Sequence, residues 1–199
     1  MNRKPAPKVE TEVFGLLSLY YAALGLSVPS VVALEPFQIP QPQRRLLVHD
    51  RDMTPTLEGF HQQSLRVQVL QKMVDAKCLL RTVVLVGMRD GKPVEFGAIR
   101  INLGGFDRQA RSLILECRVP LGGILRDKAI HHTSRPNAYF SLTADEAISQ
   151  ALGLQRPEKL FGRQNDLRSS AGERLADVVE ILPPAGDPDF ESMSEAVHG

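Results

Sequence analysis

The stretch LLRTVVLV, residues 79–86, is apolar almost throughout, with one charge, Arg81, set inside it. A short run this rich in valine and leucine reads as a strand buried on both faces. Just beyond it, Arg89-Asp90-Gly91-Lys92 carries the Asp-Gly pair that favours a hairpin turn, so residues 93–103 are expected to return beside it. Upstream, Leu65, Val67 and Val69 alternate with Arg66 and Gln68, the pattern of a half-buried strand. Downstream, Phe106, Ala110, Leu113, Ile114 and Cys117 fall on one helical stripe. VPLGG (119–123) then predicts a tight bend, and Ala138 to Leu142 another strand. Thr143 is the expected cap of a short helix that runs to Leu152 and ends at Gly153. Lys159–Leu167 and Glu173–Leu182 read as the last strands, closed by Pro183-Pro184. A hairpin, helical insertions and further strands make an α+β chain: an antiparallel, about six-stranded sheet with helices on one side.

Before this core, a helix is expected from Glu12 to Leu24, stopped by Gly25 and Pro29. Pro29, Pro36, Pro40 and Pro42 then punctuate an extended segment that wraps the body. In DMTPTLE (52–58), Thr54 is the expected cap, with Pro55 at the first helical position. The chain thus divides into an N-terminal helix and Pro-rich segment (1–44), a core domain (45–184) and an acidic, flexible tail (185–199). Lys4 and Lys8 before the apolar stretch Val13–Leu26 sketch an export signal, but Glu10 and Glu12 sit where such signals carry no acids. The segment reads as a core-packing helix of a cytoplasmic protein without stable membrane insertion.

Composition narrows the function classes. The 199 residues are 43% hydrophobic and 24% charged, with a formal net charge of +1. That suits one buried core and offers no global basic field to nucleic acid. Cys78 and Cys117 lack metal-like spacing. No G-x-S-x-G, P-loop or dinucleotide glycine motif occurs, which argues against the common hydrolase, nucleotide and Rossmann readings. His49-Asp50-Arg51-Asp52 is expected to be a solvated loop, not a metal site, and His131-His132, with no partner motif, to lie on the surface or in a loop.

Chemistry concentrates at Arg81 and Glu180, each a charge inside an apolar strand. Buried charges are costly unless met. Either they form an ion pair that ties strands together, or Arg81 clamps a ligand carboxylate while a desolvated Glu180, its pKa raised, moves a proton. Gly122-Gly123 permits close backbone approach to an anion, or simply a turn into a helix.

Taken in order, DMTPTLE (52–58), LLRTVVL (79–85), VPLGG (119–123), LFGR (160–163) and VVEILPP (178–184) resemble the chorismate pyruvate-lyase (4-hydroxybenzoate synthase) family and its wider chorismate lyase-like superfamily, over roughly residues 45–184. The resemblance implies a six-stranded antiparallel sheet with its ligand shut beneath helical flaps. It implies a cytoplasmic lyase of ubiquinone biosynthesis that cleaves chorismate to 4-hydroxybenzoate and pyruvate, without metal or organic cofactor. Restored aromaticity drives that reaction, so the protein need only hold one conformer and move a proton. Arg81 and Glu180 are then the expected catalytic residues, and Met53, Leu121, Gly122, Arg100 and Arg163 the substrate-binding ones. The family places a basic residue after the glycine matching Gly97. Here Ala98 stands there, and Arg100 is expected to take the second carboxylate. The implied partners are chorismate and no nucleic acid, in a monomer or dimer. Two other readings stay open: a non-catalytic module binding a small aromatic or sugar acid, as in ligand-sensing domains of transcription regulators, and a structural protein with a buried Arg–Glu pair.

Overall fold

The computed structural model describes residues 7–184; the expected tail at 185–199 lies outside them. Helix α1 (Pro7–Leu24) leads through β1 (Val31–Leu34), a 3-10 turn and α2 (Gln43–Leu47) into α3 (Met53–His61). Strands β2 (Leu65–Val74), β3 (Cys78–Gly87) and β4 (Pro93–Asn102) follow as a meander. Then come α4 (Arg108–Glu116), α5 (Leu121–Asp127), β5 (His132–Thr143), α6 (Glu146–Leu152), β6 (Lys159–Ser169) and β7 (Arg174–Leu182). The strands form one antiparallel seven-stranded sheet, ordered β1-β5-β6-β7-β4-β3-β2.

The α+β class is as expected, and the strand beyond the expected six is β1. It hides in the Pro-rich segment, where four residues between prolines carry too short a pattern to read, and pairs with Tyr139–Leu142 of β5. β5 itself begins at His132, well before the expected Ala138. Its polar first half pairs with β6, and Pro136 falls at an irregularity of that ladder, beyond the reach of β1.

Helices cover both faces, which corrects the one-sided expectation. β3, β4 and β7 are buried along nearly their whole length, so neither face can be left to water. On one face Val84, Phe96, Ala98, Val179 and Ile181 pack with Leu17 and Tyr21 of α1 and Ile148 of α6. On the other, Leu79, Ile99, Ile101 and Val178 meet α4 and α5, while Leu85 and Leu182 meet α2 and α3.

Two expected caps move. Asp145, not Thr143, caps α6 by accepting from the Ile148 N–H at 2.9 Å. Asp52, not Thr54, is the N-cap residue of α3, so Pro55 lies inside the first turn, where a missing N–H still costs nothing. VPLGG proves to be the start of α5, with Pro120 as its N-cap residue.

Candidate functional site

Strand periodicity puts alternate residues of β3 (Arg81, Val83, Leu85), β4 (Glu95, Gly97, Ile99) and β7 (Val178, Glu180) on the face under α3 and α5. With Asn165 and Leu167 of β6 and Val67 of β2 they floor a small cavity of about 60 Å³. Its roof is Asp52, Met53 and Thr54 at the start of α3, and Pro120, Leu121 and Gly122 at the start of α5. These helix starts touch: a Cβ on Gly122 would sit 3.2 Å from Thr54 Oγ1, so glycine lets them close. Glu58 of α3 and Arg126 of α5 are joined at 3.2 Å. His132 Nε2 lies 2.9 Å from Asp52 Oδ1, while its Nδ1 faces the Ile130 carbonyl at 2.8 Å. Both ring nitrogens therefore meet acceptors, and Asp52 above all raises the His132 pKa. His132, expected on the surface or in a loop, is half-buried at the first position of β5.

Arg81 stands at one end of the cavity, 4% exposed. Its Nε and Nη1 find no hydrogen-bond acceptor. Burial lowers its pKa, with the Cys117 side chain the neighbour that offsets this. A charge buried without compensation costs about 3–5 kcal/mol. Such a group is a standing demand for an anion.

The acids gather elsewhere. Glu180 accepts a hydrogen bond from Arg163 Nε, its direct cross-strand neighbour in the β6–β7 register. The remaining guanidinium hydrogens of Arg163 reach main-chain carbonyls: Leu47 at 3.1 Å, His49 at 2.9 Å and Arg51 at 3.2 Å. Arg163 is fully buried and tethers the segment that leads into α3. The stretch 49–52 is thus only partly the solvated loop expected: Arg163 and burial lower the His49 pKa, burial being the larger cause.

Glu95, which sequence reasoning passed over, is the second buried acid of the site. Burial, then the neighbouring Glu180, push its pKa well up, and Arg163 offsets only part of this. Its Oε2 has no hydrogen-bond partner. Gly97 makes the space, since a Cβ there would lie 3.0 Å from Glu95 Oε1. The available signal was parity: Glu95 shares a face with Gly97 and Ile99.

Of the residues singled out in the sequence, Arg81, Glu180, Met53, Leu121 and Gly122 are brought together around the cavity. Arg163 does not line it and holds its rim from below. Arg100 is exposed on the opposite face, beside Asp177, where it cannot reach a ligand under α3 and α5. Ala98 also faces away, into the core beneath α1. Glu180, expected as a free proton carrier, is instead engaged by Arg163. Among the described residues no group of three His, Cys, Asp or Glu gathers to hold a metal, and no helix is long and apolar enough to cross a membrane.

No family model and no curated protein matches the chain. Solved structures do. PhnF from Mycobacterium smegmatis superposes with a TM-score of 0.54 at 12% identity, over 69% of this chain and 65% of PhnF. The effector domain of PhnF gives 0.48 at 12% identity, over 67% and 88%. The ligand-binding domain of a protein assigned to the GntR family of transcriptional regulators, from Bordetella bronchiseptica, gives 0.43 at 10% identity, over 60% and 86%. The chain spans just under two thirds of the length of PhnF. The shared architecture is the chorismate lyase-like α+β fold. The lyase expectation does not stand: the solved structure with which the chain shares its fold is PhnF, not a chorismate lyase. With it fall chorismate as substrate, the place in ubiquinone biosynthesis and the exclusion of nucleic acid from the partners.

Proposed function

We propose that this chain is a non-catalytic regulatory module that binds a small carboxylic acid. The observation that carries the reading is Arg81, a buried guanidinium lining the cavity with two nitrogens unmet. A carboxylate there would satisfy both, for about 1.5–3 kcal/mol through charge-assisted bonds. Val67, Val83, Leu85, Ile99 and Val178 around it suit the apolar body of an aromatic acid better than a sugar acid. Met53, Leu121 and Gly122 close over the ligand, so that binding favours the shut arrangement of α3 and α5 and can be read elsewhere by a partner. Regulators joined to DNA-binding elements provide the model for that partner. The setting proposed is the cytosol, where Cys78 and Cys117, both free, remain thiols.

Calorimetric titration with benzoate and with glucuronate tests this. Benzoate is expected to bind and to be recovered unchanged by NMR, and Arg81→Leu to weaken it at least tenfold. Absence of binding to folded protein, or binding indifferent to Arg81→Leu, rules the reading out.

A further inference from the structure

The floor of the cavity is polarised along the strands. Arg81 lies opposite Ile99 in the β3–β4 register, and Glu95 stands four residues along β4 on the same face, opposite Leu85. At about 3.3 Å per residue that is about 13 Å of strand. Glu180, opposite Gly97, lies between them. Arg81 is the only cation among the described residues that line the cavity, and Arg163 is already taken by Glu180 and main-chain carbonyls. A ligand held by its carboxylate at Arg81 therefore meets carboxyl groups at its other end and no free positive charge.

We propose that Glu95 sets the specificity of this end, admitting an acid whose far end is a neutral hydrogen-bond acceptor and rejecting a dicarboxylate. The inference rests on the small-acid reading above. A second carboxylate would lose its hydration and face Glu180 with nothing to pair it, which is strongly unfavourable. A neutral oxygen would take the hydrogen that Glu95 has no other place to direct, because Oε2 is buried and without a partner. The charged groups around Glu95 are Glu180 from β7 and Arg163 from β6, with Arg81 of β3 on the floor and Asp52 ahead of α3 in the roof of the same cavity. Burial and then Glu180 favour the protonated form of Glu95, and Arg163 opposes them. An ammonium at the ligand's far end would require Glu95 to ionise first, so a zwitterionic acid gains nothing.

The experiment titrates the folded chain at neutral pH with benzoate, 4-acetylbenzoate, terephthalate and 4-(aminomethyl)benzoate, and repeats it with Glu95→Gln and Glu95→Leu. The keto acid is expected to bind about five- to tenfold tighter than benzoate, the dicarboxylate at least tenfold weaker, and the amino acid no tighter. Glu95→Gln, a neutral donor of the same shape, keeps the gain; Glu95→Leu loses it. Terephthalate binding as well as benzoate, or a preference for the amino acid that disappears in Glu95→Gln, overturns the inference. So does equal binding of 4-acetylbenzoate and benzoate while benzoate still depends on Arg81, and the small-acid reading then survives alone. If benzoate itself does not bind, both fall.

Discussion

Burial disturbs the ionisation of both Glu95 and Arg81, raising one pKa and lowering the other, so the two behave oppositely as pH changes. Because burial and Glu180 raise the Glu95 pKa above its ordinary value of 4.5, its neutral form is worth most below that value. The stability it lends is lost as pH rises through the folded-state pKa. Glu95→Gln removes this loss. The variant is therefore expected to match the native chain in acid and to exceed it in melting temperature by a margin that widens as pH rises through that folded-state pKa, as followed by circular dichroism. Arg81 was legible from sequence because a charge inside an unbroken valine and leucine run has no harmless place to go. Glu95 was not, because it stands three residues after a hairpin turn, where an acid is ordinarily solvated. Only the pairing of β4 with both β3 and β7 buries it.

At the level of elements, the roof over the cavity is held by α3 and α5 leaning on each other. The Asp52–His132 contact joins the α3 N-terminus to the start of β5. Asp52 raises the His132 pKa from its ordinary 6.5, so the imidazolium form stabilises the contact fully below that value and the benefit fades as pH rises through the folded value. Amide exchange in α3 and α5, corrected for its intrinsic pH dependence, is expected to quicken over that window in the native chain and to show no such step in His132→Asn. A second prediction concerns β6. A Cβ at Gly162 would come within 2.6 Å of both the Glu180 carbonyl and Phe140 Cζ. Gly162→Ala is expected to destabilise by about 1–3 kcal/mol, or to spread β6 from its neighbours, read as a fall in urea midpoint. Most elements were legible from periodicity and turn chemistry, including the Asp-Gly hairpin with Gly91 at φ 69°. β1 and the first half of β5 were not, because their pairing partners, and not their own composition, make them strands.

Across the whole molecule the sheet separates two tasks. One face carries the cavity; the other is sealed by α1 and α6 and carries stability. Leu17, fully buried on α1, packs on the sealed face, so Leu17→Ala is expected to cost about 2–5 kcal/mol in urea unfolding. Benzoate affinity measured well below the unfolding transition should stay within twofold. A large loss of affinity at retained structure would show that the faces are coupled through the sheet. The sequence by itself determined the α+β class, the order of the main strands, the meander at its centre and the inward charge at Arg81. Those follow from local periodicity and turn residues, which act over a few neighbours. Only the tertiary structure decided that Arg163 would claim Glu180, that Glu95 would be buried beside Glu180 in the cavity, and that Arg100 would be left in water. Each of these is a matter of cross-strand register, which sets what a side chain meets but leaves no mark in the chain on either side of it.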